Sequence, residues 1–106
     1  MERTGFILNV RKDKIDEYKK QHKMVWPEML EALKRSGWHN YSLFIRPDGL
    51  LFGYVEAQDS FRKCLERMKR EDANSKWQKF MEPFFEQLEG RPDESMSQLE
   101  EVFHLS

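Results

Sequence analysis

Hydrophobic positions alternate at the start of the chain, where Phe6, Leu8 and Val10 are separated by Ile7 and Asn9. A period of two belongs to a strand, and the spacing predicts one over Thr4 to Val10. The pattern then changes. Between Asp13 and Ser36 the apolar and aromatic residues, with His22 among them, stand at positions 15, 18, 22, 25, 26, 29, 30 and 33. At about 100° per residue these fall within an arc of roughly 140°, the stripe of a long amphipathic helix. Pro27 lies inside it, and because the stripe keeps its phase across the proline, a kinked helix is expected rather than a fresh start at Pro27. Gly37 stops the helix by taking a positive φ.

Two runs rich in β-branched, aromatic and leucine residues follow, His39 to Arg46 and Leu50 to Ala57, joined by the turn-forming Pro47-Asp48-Gly49. They read as a β-hairpin. Phe61, Cys64, Leu65 and Met68 recur at i, i+3, i+4 and i+7, and Trp77, Phe80, Met81, Phe84 and Leu88 form a second helical stripe after a polar break at Asp72 to Ser75. Pro83 ends or bends that last helix. Glu89 to Ser97, with Gly90 and Pro92, reads as a surface loop, and Leu99 to Leu105 as a closing strand.

The order is close to βαββαβ with an extra helix. It predicts a single α+β domain over 1–106, a ferredoxin-like antiparallel sheet with helices on one face. Several strands are apolar in both registers, so the uncovered sheet face would carry Phe, Leu and Val into water, and a second subunit covering it is the natural solution.

Composition narrows the partners. The 106 residues include 39% hydrophobic and 13% aromatic side chains, and 18 basic against 19 acidic groups leave a net charge of −1. So many aromatics with so little net charge argue against disorder, and the lack of a basic excess argues against a nucleic-acid or acidic-membrane partner. A small molecule or another protein chain fits better. Cys64 is the single cysteine and has no internal disulfide partner, which suits a reducing, cytoplasmic setting. No stretch approaches the ~18 apolar residues of a membrane span, and the first residues lack the apolar core of a signal peptide.

Candidate chemistry is sparse. Tyr18, His22 and Trp26 are four residues apart, which on a helix stacks them on one core-facing side, an imidazole between two aromatics. His22 reads either as a proton carrier or as a hydrogen-bonded core histidine with aromatic packing around it. On the hairpin, Tyr41 shares a face with Leu43 and Ile45, while Glu56 shares one with Tyr54, Phe52 and Leu50. Each is a polar tip among apolar neighbours, and a backbone-bonded phenol or a solvated carboxylate explains it as simply. Trp77 sits in an apolar stripe and reads as core. His22, His39 and His104 show no metal-ligand spacing, the glycines at 5, 37, 49, 53 and 90 form no phosphate loop, and Cys64 is a small core residue on its stripe. No metal or cofactor is implied.

Over essentially its whole length the chain resembles the L-rhamnose mutarotase family. Glu17-Tyr18, His22 and Trp26-Pro27-Glu28 match that family's E-Y-x-x-x-H-x-x-x-W-P-E signature. Gly37 with His39-Asn40-Tyr41, Leu50-Leu51-Phe52 with Val55-Glu56, Trp77 with Phe80-Met81, and Leu99-Glu100-Glu101-Val102-Phe103 support it. The resemblance implies a dimeric α+β barrel, cofactor-free and cytoplasmic, that interconverts the α and β anomers of L-rhamnose. By the same resemblance His22 is the proton donor, and Tyr18, Tyr41 and a pair of adjacent tryptophans contact the sugar. This chain keeps Trp77 and has Gln78 in the second place; it also carries Lys23-Met24 beside His22 where the family has Asn-Pro.

The chemistry suits these residue types. Mutarotation removes a proton from the hydroxyl on C1 and delivers one to the ring oxygen, so that the ring opens, turns about C1–C2 and recloses. An imidazole with an ordinary pKa of about 6.5 holds or releases a proton near neutrality. Tyrosine hydroxyls both donate to and accept from sugar hydroxyls, and an indole stacks on the C–H face of a pyranose. The second proton carrier is open among Glu56, a tyrosine and water. Two other classes share the fold: a non-catalytic sugar-binding module, which would bind without speeding exchange, and a cofactor-independent monooxygenase, which would consume oxygen with an aromatic substrate.

Overall fold

The computed structural model describes residues 1–86, 88 and 90–106. In chain order the elements are β1 (Glu2–Asn9), α1 (Ile15–His22), α2 (Pro27–Arg35), β2 (Trp38–Ile45), β3 (Leu50–Ala57), α3 (Phe61–Lys69), α4 (Asp72–Met81) and β4 (Ser97–Leu99), with 3₁₀ turns at Lys12–Lys14, Glu82–Phe84 and Pro92–Glu94. The strands form one antiparallel sheet in the order β2-β3-β1-β4, the ferredoxin-like arrangement expected from the element order.

Alternation decides which side of the sheet is covered. Thr4, Phe6 and Leu8 of β1 and Leu51, Gly53, Val55 and Ala57 of β3 are buried, whereas Arg3, Asn9 and Phe52 are exposed. Phe6 stacks on Phe61 of α3 with centroids 5.8 Å apart, and Tyr18, Met29, Ala32, Cys64, Met68, Trp77 and Met81 join it from the four helices in one core. Full burial of a side chain such as Phe6 stabilises the fold by roughly 1.5–3 kcal/mol. The sheet's other face carries Phe44, Phe52 and Leu99 at 61%, 36% and 42% exposure.

The stripe from Asp13 to Ser36 is two helices, not one kinked helix. α1 ends at His22, and the Lys23 and Met24 amides close its last turn onto the Lys20 and Gln21 carbonyls at 3.2 and 3.1 Å. Trp26 is extended (φ −57°, ψ 134°), as a residue before proline tends to be, and Pro27 begins α2 at the first position, where its missing N–H is no loss. Gly37, at φ 89°, then stops α2 as the sequence predicts.

Three other expectations are corrected. The polar run Asp72 to Ser75 is no break: it is the first turn of α4, and Asn74 within it is fully buried. The segment expected as a surface loop over Glu89 to Ser97 contains buried Pro92 and Asp93, drawn onto α4 by hydrogen bonds described below; Glu89 itself lies outside the described residues. The closing strand is shorter than Leu99 to Leu105, pairing with β1 only over Ser97–Leu99. The register that sets Gly5 opposite Leu99 places Glu101 beside Arg3, and there the side chains meet instead of the backbones, through hydrogen bonds of 3.1 and 3.0 Å.

One irregularity aims a site residue. In the β2–β3 ladder His39 pairs with Glu56 and Ser42 with Tyr54, so Asn40 and Tyr41 together oppose the single residue Val55. Asn40 takes the left-handed conformation at this bulge, φ 47°, which asparagine tolerates better than most residues. The extra residue inverts the alternation. Trp38 before the bulge and Tyr41 after it both face the helices, with ring centroids 4.9 Å apart; in a regular strand, three positions apart, they would point to opposite faces.

Candidate active site

α1 is a single short helix whose buried side chain is Tyr18. Tyr18 is wedged edge-on against Phe84 and Phe85 at 6.3 and 5.7 Å. That segment is tied to the end of β1 by the Arg11 amide on the Phe84 carbonyl at 2.8 Å and the Glu86 amide on the Asn9 carbonyl at 2.9 Å. The chain leaving the last helix, tied in this way to the end of β1, thus anchors α1 through Tyr18 one turn before His22.

The His22 ring stacks on Tyr18, centroids 4.1 Å apart, and meets Trp77 edge to face at 5.6 Å. The second aromatic wall is therefore Trp77 of α4, not Trp26. Trp26 stands behind it at 4.9 Å, because the helix that would have stacked Trp26 above His22 has ended. Nδ1 of His22 lies 3.0 Å from the carbonyl oxygen of Tyr18. A carbonyl only accepts, so Nδ1 carries the hydrogen, and in the neutral ring Nε2 is left with its lone pair. Burial pushes the imidazole pKa below its ordinary value, and the bond to the Tyr18 carbonyl opposes the shift without cancelling it. His22 is accordingly neutral at neutral pH, a base at Nε2.

This ring opens onto a cavity of about 330 Å³, at the lower end of the range for small-molecule sites. His22, Tyr41, Trp38, Trp77 and Gln78 line it together with aliphatic residues of α2 and α3 such as Met29, Leu33 and Leu65. A narrower recess of about 50 Å³ beside it adds Tyr18. Burial raises the pKa of Tyr18 and of Tyr41, with the nearby Tyr41 adding to the effect on Tyr18. Both phenols therefore stay protonated near neutral pH.

His22, Tyr18, Tyr41, Trp77 and Gln78 all come together around these two spaces. Glu56 does not. It lies on the opposite face of the sheet, where the Asn40 amide at 3.0 Å and the Tyr54 hydroxyl at 2.8 Å donate to its carboxylate and hold its pKa below the usual carboxylate range. Sequence reasoning missed Asn74 and Asp93, which also line the cavity. A signal for Asn74 existed: it shares the helical phase of Gln78 and Met81, positions a core face occupies. Among the described residues no three His, Cys, Asp or Glu side chains group as metal ligands would, and no helix is long and apolar enough to cross a membrane.

The whole-chain comparisons agree with this arrangement. The chain is 43% identical to an L-rhamnose mutarotase of Oceanobacillus iheyensis, the match covering 99% of each chain. It is 37% identical to one from Bacillus subtilis over the same share of both. A crystal structure of an L-rhamnose mutarotase from Formosa agariphila superposes on the whole of both chains with a TM-score of 0.81 at 29% identity. A family model described as L-rhamnose mutarotase matches residues 3–105. Sequence, fold and the aromatic-flanked histidine therefore point one way: the chain belongs to the L-rhamnose mutarotase family.

Proposed function

We propose that this chain, as one domain over 1–106, is an isomerase that interconverts the α and β anomers of L-rhamnose, with His22 as its acid/base group. The observation that carries the reading is the 3.0 Å contact of His22 Nδ1 with the Tyr18 carbonyl, which leaves Nε2 as the base, beside a cavity of sugar size lined by Trp77 and Tyr41. Nε2 takes the proton from the C1 hydroxyl. The O1 electrons form the carbonyl as the C1–O5 bond breaks, its electron pair passes to O5, and O5 receives a proton. Rotation about C1–C2 presents the other carbonyl face, O5 returns its proton as it attacks C1, and the imidazolium gives its proton back to O1.

We assign the proton delivered to O5 to Tyr41. It lines the same cavity as His22 and its buried phenol is protonated, whereas Glu56 belongs to the far side of the sheet. Tyr18 backs the imidazole and borders the recess, and Trp77 offers an indole face to the ring C–H groups. Gln78 contributes a polar edge in place of an aromatic one.

We also read the protein as a homodimer closed across the exposed sheet face, giving a dimeric α+β barrel. Supporting it are the apolar Phe44, Phe52 and Leu99 on that face and Val102, Phe103 and Leu105 in the tail, 86%, 79% and 81% exposed. A cytoplasmic, reducing setting belongs to the same reading, in keeping with the free, buried Cys64.

The test is magnetisation transfer between the α and β H1 signals of L-rhamnose. The wild type should speed exchange well beyond buffer, and His22→Asn should lose on the order of 10²–10⁴ of that acceleration. Binding of the sugar without faster exchange would overturn the enzyme and leave a binding protein.

A further inference from the structure

The cavity's walls are aliphatic and aromatic except in two places. One is the His22–Tyr41 end already described. The other is a buried set from α4 and the Pro92–Glu94 turn: Asn74, Gln78 and Asp93, at 0%, 7% and 6% exposure, all three lining the cavity.

Their hydrogen bonds close a ring. The Asp93 backbone amide donates to Gln78 Oε1 at 3.1 Å, Gln78 Nε2 donates to Asn74 Oδ1 at 2.9 Å, and Asn74 Nδ2 donates to Asp93 Oδ2 at 3.0 Å. The backbone N–H of Asp93 can only donate, and this settles every amide orientation in turn: Gln78 presents its oxygen to Asp93, hence its nitrogen to Asn74, hence Asn74 its nitrogen to the carboxylate. Asn74 spends its second N–H on the Met68 carbonyl at 3.1 Å. Arg91 grips both carboxylate oxygens of Asp93 at 3.1 and 2.9 Å and so neutralises the buried charge.

This arrangement is built, not incidental. Buried amides and a carboxylate facing an apolar cavity are costly unless bonded, and here they are bonded to one another in a single order. After that order is filled, among the described residues Gln78 keeps one amide hydrogen beyond the bond to Asn74, and the Asp93 carboxylate keeps acceptor capacity beyond the donors named. Both residues line the same cavity, and a donor together with an acceptor in one wall matches a sugar hydroxyl, which accepts and donates at once.

We infer that the Asn74–Gln78–Asp93 ring is a specificity-determining wall that binds one of the non-anomeric hydroxyls, on C2, C3 or C4, of the sugar whose C1 and O5 face His22. The inference rests on the proposed mutarotase reading and deepens it. It assigns to Gln78 a hydrogen bond with the substrate, and to Asn74 and Asp93 the positioning of that amide.

The test pairs substrate and protein changes. Exchange of L-rhamnose and of its 2-, 3- and 4-deoxy analogues is measured with the wild type and with Gln78→Met, which keeps length and removes the amide. With the wild type, one deoxy sugar is expected to lose about tenfold or more in kcat/KM relative to L-rhamnose, mostly in KM, because its absence leaves a buried donor unpaired. With Gln78→Met, that discrimination should collapse to within about threefold; a purely structural role would slow all four sugars equally and leave the ratios intact. Should Gln78→Met not fold, the wild-type panel decides alone, and all three analogues exchanging within about threefold of L-rhamnose overturns the wall. Calorimetric binding of the same sugars separates the two claims. A wild type that binds with this hydroxyl preference yet speeds no exchange sinks the enzyme and keeps the wall; normal exchange with no preference sinks the wall and keeps the enzyme.

Discussion

The imidazole of His22 lies 4.1 Å, centroid to centroid, from the ring of Tyr18, and its Nδ1 donates to the carbonyl oxygen of that same residue at 3.0 Å. One turn of helix thus supplies both the floor under the imidazole and the acceptor that fixes its tautomer. The lone pair at Nε2 is the consequence, and the pH behaviour of the protein follows from it.

His22 has its pKa lowered from 6.5 by burial. In the unfolded chain the imidazole takes up its proton first as the pH falls, so the folded state binds fewer protons in the interval between the lowered and the ordinary value. The stability contributed by the neutral ring is complete above the unfolded value and is lost as the pH drops through the folded one. Activity should follow the same group: the acid limb of kcat/KM for anomer exchange is expected at a midpoint below 6.5, matching the NMR titration of the His22 Cε1 proton. A midpoint above 6.5 in both measurements contradicts a buried, neutral base.

Tyr41 and Glu56 stand on opposite sides of the sheet, which makes them distinguishable as proton carriers. Tyr41→Phe is expected to lower kcat by roughly 10², the lower end for general acid–base catalysis, with a smaller effect on KM. Glu56→Gln should leave kcat within about twofold of the wild type. Steady-state exchange measured across a range of L-rhamnose concentrations separates the parameters, and an inactive Glu56→Gln protein of normal stability would reverse the assignment.

The position of Tyr41 depends in turn on Asn40, held at φ 47°. A β-branched residue resists that conformation, so Asn40→Val should cost about 1–3 kcal/mol by denaturant titration and slow exchange as Tyr41 loses its aim. Asn40→Gly adopts the same φ freely, and its activity should stay close to that of the wild type although it forfeits the bond to Glu56. If Asn40→Val retained full stability and full exchange, the bulge would not be what directs Tyr41.

These residues also show what the sequence makes legible. Tyr18 and His22 share a helical face because a spacing of four residues is close to one turn of about 3.6, and Tyr41 falls into phase with Leu43 and Ile45 because everything after the bulge alternates regularly. The wall formed by Trp77 is a long-range contact between α1 and α4 that no local period encodes. The split at Pro27 was hidden because the apolar stripe keeps its phase over the break, while the residue before a proline avoids the helical region whatever the stripe does. Asn74 shares the helical phase of Gln78 and Met81, yet the hydrogen bonds that let both polar side chains be buried are completed by Asp93, well separated in sequence, and no local pattern encodes that.

The outer sheet face yields the last prediction. Phe44 and Phe52 are cross-strand partners with rings 6.3 Å apart, Ile7 pairs with Phe52 from the next strand, and Leu99 follows opposite Gly5, so an apolar band crosses all four strands. With Phe44 61% exposed, the band is a large area left in water, at about 25 cal/mol of unfavourable free energy per Å². Closing two such faces together removes it, and the wild type is expected to sediment near twice its 12.9 kDa chain mass at micromolar concentration. Phe44→Lys sets a charge in the middle of the band and should shift the protein toward a monomer. His22, Tyr41 and Trp77 all come from one chain, so that monomer should keep measurable exchange wherever it remains folded. A wild type sedimenting at the mass of a single chain would leave the band without the partner assigned to it, and the dimer would have to be abandoned while the active site stood.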